Sequence, residues 1–382
     1  MKVTAPGKIL LLGGFAVLEH HPGLSIALLD KDSMGASATG TKGALRIISK
    51  EFGIDRELRA ETPLAAINSA TGGERIAVCA YATALAYLSE KGIRPEPVAI
   101  ELENSPIFGA KDEKSGLGSS AASTVALIAC ALGENGIDIN SERETVHRLA
   151  QVSHAVATGK VGGGFDIATS AYGTIKYSRY RKGVIRINPE SSDEASFRRD
   201  VLRIVAGEWP GLSIEPIPAG KFDILAFNIK GAKTSTVCAV RALVKLAEYA
   251  PELYSTLLRA QAEGEAVVFR GLAEGDKAGV RGGMHMARAA QRRMSEWVVR
   301  VGMMFFDPIE PKELTAIIDE AEKLEGVVAG RCPGAGGYDS VAFLVEKADA
   351  KTISAIREIA KGKGLSLEHI DARISRDGYR AL

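Results

Sequence analysis

The sequence predicts a two-domain α+β fold with a binding site in the cleft between the domains, on three observations. The chain has 382 residues, beyond the size at which a single hydrophobic core usually stops growing. Alternating, β-prone runs and helical periodicities are mixed rather than arranged in a strict βαβ succession. A polar stretch between Asn188 and Gly220 that carries Pro189, Pro210, Pro216 and Pro218 marks the junction, with domains expected at 1–217 and 218–382.

The first domain opens on Lys2–Gly14, two strand pieces meeting at Pro6-Gly7 and closed by Gly13-Gly14. Segments 24–30, 33–39 and 44–49 read as further strands. Ile76, Val78, Ala80, Leu85 and Leu88 recur at helical spacing, so a helix is expected from Glu74 to about Lys91, ended by Gly92. Val98–Glu103 alternates as a strand, and Asn104–Gly109 is loop. Residues 119–132 are small and apolar on every side, which marks a buried helix packed closely on a sheet. A second helix is expected at 141–157, started by a Ser141/Glu144 capping box, and Thr174–Tyr180 reads as a strand. Beyond the junction come a strand at 222–227, a helix-rich stretch from 234 to 300, helices at 311–324 and 348–361, and strands at 341–345 and 365–371.

Bulk properties exclude several function classes. Apolar residues are 46% and charged residues 25% of the chain, and 48 basic against 47 acidic residues leave a formal charge of +1. No global field points to nucleic acid or an anionic membrane as partner. There is no apolar span of membrane length and no leader-like N-terminus, so a cytoplasmic protein is expected. Cys79, Cys130, Cys238 and Cys332 are widely separated, and neither they nor the six histidines have metal-site spacing.

Four segments carry possible chemistry. Gly116–Ala122 (Gly-Leu-Gly-Ser-Ser-Ala-Ala) is a glycine-rich loop feeding a helix N-terminus, where unpaired backbone N–H groups and the helix dipole suit a phosphate; an ordinary capped helix has the same signature. Its ending is not that of a Walker A loop. Lys8 follows Pro6-Gly7 in an apolar strand, so its ammonium either snorkels to solvent or serves a buried purpose. Asp166 follows three glycines and precedes Ile167-Ala168, as a turn residue or as a carboxylate partnered by a cation such as Lys8. Gly334–Asp339 reads as a tight hairpin loop, and Lys233–Thr236 as a helix start open to an anion.

Taken in order, Pro6–Gly14, Gly116–Ala122 and Pro333–Gly337 resemble the three hallmark segments of the galactokinase, homoserine kinase, mevalonate kinase and phosphomevalonate kinase (GHMP) superfamily. Within it, Lys114–Ala122, His154–Ala168 running on to Tyr172-Gly173, and Pro333–Asp339 look most like the phosphomevalonate kinases of the orthologous type. The resemblance spans residues 3–345. It implies the two-domain GHMP kinase fold and transfer of the γ-phosphoryl group of ATP, with Mg2+, to 5-phosphomevalonate in isoprenoid synthesis, by a monomer or homodimer. Lys8 and Asp166 would be catalytic. Lys114, Gly116, Leu117, Gly118, Ser119, Ser120 and Ala121 would hold the nucleotide, with Ser120 also on the metal. Lys160, Lys233, Ser235, Gly334, Ala335, Gly336 and Gly337 would hold the substrate. The family commonly has a serine where this chain has Gly163. Another GHMP kinase acting on mevalonate or a related acid, and a non-catalytic ligand sensor on the same fold, are the competing expectations.

Overall fold

A computed structural model describes all residues except 110–115, 218–221, 231–235 and 301–307, and the side chains of 236 and 237. The chain divides into two compact units, the first formed by 1–9, 25–216 and 375–382, the second by 10–24 and 217–374. The division is therefore not the single cut expected at 217/218. Residues 10–24 belong to the second unit, and the last eight residues return to the first because the C-terminal strand pairs with the N-terminal one.

In the first unit, β1 (Lys2–Ala5), β4 (Ala36–Lys42), β5 (Arg46–Ser49), β6 (Ile54–Glu57), β7 (Val98–Asn104) and β15 (Arg380–Ala381) form a sheet in the order β15-β1-β4-β7-β5-β6. Register is set by pairs such as Val3 with Ala38 and Ala38 with Leu102, and only β5–β7 is parallel. A second sheet holds β3 (Gly23–Leu29), β8 (Ile175–Ser178) and β9 (Ser213–Pro216), with β2 (Gly7–Leu10) alongside β3. Helices α1 (Pro63–Ser69), α2 (Arg75–Glu90), α3 (Ser119–Glu134), α4 (Arg143–Thr158), α5 (Phe165–Tyr172) and α6 (Glu194–Ala206) pack around them. Helix α3 is buried on every side from Ala121 to Leu132. Its small residues let it lie against β1, β4 and β7 on one side and α2, α4 and α5 on the others.

Two local expectations are corrected. Ser141 does not cap α4; its Oγ donates to the Asp138 carbonyl at 3.1 Å, in a turn that already donates Glu142 N–H to Asp138 O, so the helix begins only at Arg143. The supposed junction contains α6. Asp193 caps it through the Ser196 N–H at 2.7 Å, and Phe197, Val201, Ile204 and Val205 bury a face at three- and four-residue intervals against α2 and α4.

In the second unit, β10 (Asp223–Ile229), β11 (Val327–Arg331), β12 (Ser340–Val345) and β13 (Leu367–His369) make an antiparallel sheet ordered β11-β12-β10-β13. It is covered by α10 (Lys312–Ala321) and α11 (Ala350–Gly362) over a core that includes Phe227, Ile318, Phe343 and Ile356. Helices α7 (Thr236–Tyr249), α8 (Pro251–Glu274) and α9 (Lys277–Arg300) share a second core with Leu246, Leu257 and Met294. The α8–α9 crossing is close because Gly264 and Gly283 face each other: a Cβ on Gly283 would lie 2.5 Å from the Gly264 carbonyl oxygen. Strand β14 (Arg373–Ser375) carries the chain back to the first unit.

Candidate active site

Lys8, the glycine loop and Asp166 meet within the first unit. Gly7 gives β2 a close approach to the loop: a Cβ there would sit 2.6 Å from the Phe108 ring and 2.9 Å from the Leu117 carbonyl oxygen. Lys8 then donates its backbone N–H to Leu117 O at 2.7 Å and its Nζ to Gly116 O at 2.8 Å. The side chain is half-buried and crosses the loop rather than snorkelling. Gly118, in the left-handed region at φ 75°, starts α3, and a Cβ on it would stand 3.0 Å from Lys8 Cε. Conformation favours glycine at that position, and a side chain there would also crowd the lysine.

No side chain caps α3. Ser119 and Ser120 occupy its first turn, ahead of Ala121, whose N–H donates to Gly118 O at 3.1 Å. Ser120 Oγ is 3.3 Å from His154 Nε2 on α4, and its carbonyl accepts from Thr124 Oγ1 at 2.8 Å. Ser123 Oγ donates to Asn104 Oδ1 at 3.1 Å, joining α3 to β7. Glu101, Glu103, Asn104, Ser105, Pro106 and Lys50 line a cavity of about 400 Å³ where β7 runs into the loop.

Asp166 lies in the first turn of α5 behind Gly164, which has φ 80°, and its Oδ1 accepts the Ile167 N–H at 3.0 Å. Two bonds lock α5 against the lysine strand's surroundings: Ser170 Oγ donates to Pro6 O at 2.8 Å, and Thr169 Oγ1 to Ser25 Oγ at 2.6 Å. The Phe165 ring centroid is 5.5 Å from Lys8 Nζ, within cation–π range. Burial lowers the Lys8 pKa below the ordinary lysine value, and the charge of Asp166 opposes that shift.

The other expected residues are more dispersed. Gly116, Leu117, Gly118, Ser119, Ser120 and Ala121 form the loop and first turn. Lys160 is exposed just after α4, its carbonyl accepting from Thr158 Oγ1 at 3.1 Å. Lys114, Lys233 and Ser235 lie outside the described residues. Gly334–Gly337 form the β11–β12 loop of the second unit, where Gly334 N–H donates to Leu10 O at 2.8 Å and Gly337 N–H to Ile309 O at 3.0 Å; Ala335 packs on the core shared with Leu246. His154 and Phe165 fall inside the His154–Ala168 string, but the sequence gives neither a role. Their contacts are made across helices, and spacing within one helix carries no trace of them.

Among the described residues no cluster of three His, Cys, Asp or Glu side chains could hold a metal. The donors present suit Mg2+ in another way, since that ion commonly takes one or two protein oxygens and completes its shell with phosphates and water. The Ser120 hydroxyl, at the start of α3, is such an oxygen. Among the described residues, no helix is long and apolar enough to cross a membrane.

Residues 75–174, from α2 to the start of β8, match the family "GHMP kinases N terminal domain". A phosphomevalonate kinase of Gibberella zeae is 30% identical over 289 residues, covering 72% of this chain and 63% of that protein. The chain spans between 50% and 63% of the length of the first curated relatives it matches. A phosphomevalonate kinase of Saccharolobus solfataricus is 26% identical over 378 residues, covering 96% of this chain and 99% of that one. Among solved structures, the Streptococcus pneumoniae phosphomevalonate kinase in complex with phosphomevalonate and AMPPNP superposes with a TM-score of 0.69 at 16% identity, covering 97% of this chain and 99% of that one. The segment that carries the glycine loop and Asp166 thus matches the N-terminal domain of the GHMP kinases, and the fold is shared over nearly the whole length with a solved phosphomevalonate kinase.

Proposed function

We propose that this protein is a phosphomevalonate kinase, transferring the γ-phosphoryl group of ATP to the phosphate of 5-phosphomevalonate. The observation that carries the reading is Lys8: its ammonium is drawn across the glycine loop onto Gly116 O, beside the first turn of α3 and under the influence of Asp166. The substrate comes from the relatives, whose names include phosphomevalonate kinases of a fungus and an archaeon. A neighbour solved with phosphomevalonate and AMPPNP supports the same pair of ligands.

In this reading the N–H groups of Ser119 and Ser120 hold the nucleotide phosphates with Ala121 packed behind them, and the cavity beside Asn104 takes the nucleoside end. Lys114, on the approach to that loop, adds a further charge. An oxygen of the acceptor phosphate attacks the γ-phosphorus, the bond to the β,γ-bridging oxygen breaks, and ADP leaves with that electron pair. The acceptor is already an anion at neutral pH, so no strong base is needed. Lys8 neutralises charge that moves from the transferring group towards the bridge, in a partly dehydrated setting where its field is strong. Asp166 keeps the ammonium aimed and orients the acceptor. Mg2+, when bound at Ser120, supplies further charge neutralisation on the phosphates. Lys160, just after α4, serves the acceptor. The protein acts as a monomer or homodimer, and the buried, unbridged Cys79, Cys130 and Cys332 suit a reducing cytoplasm.

A coupled assay for ADP tests this. Turnover is expected with 5-phosphomevalonate and not with mevalonate. Turnover of mevalonate alone overturns the choice of substrate, and no ADP from any isoprenoid acid would favour a ligand-sensing role.

A further inference from the structure

Beneath the loop that delivers Asp166 lies a set of buried polar side chains that touches none of the groups assigned above. Gln151 on α4 is 4% exposed, Tyr177 on β8 is fully buried, and Tyr180 just after it is 2% exposed. Each polar head points at the backbone of 161–164 or at another member of the set. Gln151 Nε2 donates to Gly164 O at 2.7 Å, Tyr177 Oη donates to Gly163 O at 3.1 Å, and Arg179 Nη2 donates to Val161 O at 3.2 Å. Gly164 O is also the acceptor of the first hydrogen bond of α5, from Ala168 N–H at 3.1 Å. One carbonyl thus both starts the Asp166 helix and is held from beneath.

The orientation of the Gln151 amide is set by its neighbours. Its Oε1 accepts from Tyr180 Oη at 3.3 Å, while Nε2 faces Gly164 O and, at 3.1 Å, His147 Nε2. Turning the amide over would set its oxygen against the Gly164 carbonyl. With both Nε2 hydrogens donated, His147 Nε2 must be the acceptor, so the ring is neutral with its hydrogen on Nδ1. His147 is fully buried, its ring 5.4 Å from that of Tyr172 and 6.0 Å from that of Trp209. Burial drives its pKa down to about 3, which keeps the acceptor available. The fit leaves no slack at Gly164, where a Cβ would lie 2.6 Å from Tyr177 Oη and 3.0 Å from Gln151 Nε2.

We infer that Gln151, oriented by His147, is a positioning residue for the phosphoryl-transfer reaction: it fixes the Gly164 carbonyl, and through it the point at which α5 begins and the place of Asp166 beside Lys8. The Nδ1–H of His147 finds no acceptor, but the directed bonds on Gly164 O and within the Gln151 amide specify one geometry, and displacements of about 1 Å near reacting groups can cost on the order of 100-fold in rate. This inference rests on the kinase reading for its kinetic consequence but not for its structural one, and the experiment separates the two.

Gln151→Met keeps the length of the side chain and removes both donors. Amide hydrogen exchange across Phe165–Ala168, which needs no substrate, is expected to quicken at least tenfold in this variant. In the ADP assay kcat is expected to fall at least tenfold, with KM for ATP held within about twofold, because the glycine loop is untouched. His147→Leu should reproduce both effects. His147→Gln, which presents an acceptor at the reach of Nε2, should restore exchange and kcat to within about threefold of the native protein. Should Gln151→Met fail to fold, the His147 pair decides the matter by the same readouts. Unchanged exchange at 165–168 overturns the inference whatever the substrate proves to be. Faster exchange with unchanged kcat overturns it as well, since Asp166 would then not depend on the network for its role. Absence of native turnover on 5-phosphomevalonate would count against the proposed substrate, while the exchange data would still test the positioning.

Discussion

Lys8 shows how one residue's environment selects between two uses of the same chemistry. A lysine in an apolar strand costs free energy unless its head group is solvated or partnered. Here the ammonium is returned to a backbone carbonyl, that of Gly116, with Phe165 against it and Asp166 offsetting part of the burial. Lys8→Met is expected to lower kcat by about 10²–10³-fold with a much smaller change in ATP affinity, since in the proposed reaction its charge would be used mainly as the phosphoryl group moves. Asp166→Asn should lower kcat by a smaller factor, because in the proposed reaction the acceptor phosphate would need orientation more than deprotonation. Steady-state kinetics beside nucleotide binding by calorimetry checks both; native kcat in either variant removes that residue from the catalytic set. Both residues were legible as candidates in the sequence, since each is a charge in an apolar, glycine-flanked setting. His154 was not, because the 3.3 Å approach to Ser120 is made between two helices.

Among the elements, α3 and its loop were the most legible part of the molecule. A run of small apolar residues buried on every side admits few alternatives, and the glycines ahead of it mark where the backbone must leave ordinary conformations. Gly118→Ala tests that end of the helix. A side chain at φ 75° costs about 1–2 kcal/mol, and the added Cβ would press on Lys8 Cε. The variant is expected to lose about that much stability in denaturant titration and at least tenfold in kcat, whereas native kcat would mean that Lys8 does not depend on this approach. Helix α6 was missed for an opposite reason. Its flanking prolines and polar residues dominate the composition of 188–220, and only the spacing of Phe197, Val201 and Ile204 shows a buried face. The Ser141 capping box failed because Asp138 offers a competing turn three residues earlier.

For the molecule as a whole, the buried neutral His147 sets an acid limit on stability. Its folded pKa is about 3 against an ordinary value of 6.5. Above pH 6.5 the ring is neutral in both folded and unfolded chains, and no penalty applies. As pH falls below 6.5 the unfolded chain binds a proton that the folded one refuses, and stability drops by up to about 1.4 kcal/mol per pH unit until pH approaches 3. Denaturant titrations at pH 7, 5.5 and 4.5 should therefore show a steeper loss for the native protein than for His147→Gln; parallel curves would mean that the ring titrates normally. The sequence by itself determined the fold class and most helices and strands, and it offered the glycine loop, Lys8 and Asp166 as candidates, because periodicity, glycine placement and burial of small residues act over a few neighbours. Only the tertiary structure decided that residues 10–24 and 375–382 change units, that Lys8 reaches a carbonyl 108 positions away, and that Gln151 and His147 hold the Asp166 loop. Those outcomes depend on which elements pack side by side, and that choice minimises buried unpaired groups over the whole core rather than along any single stretch of chain.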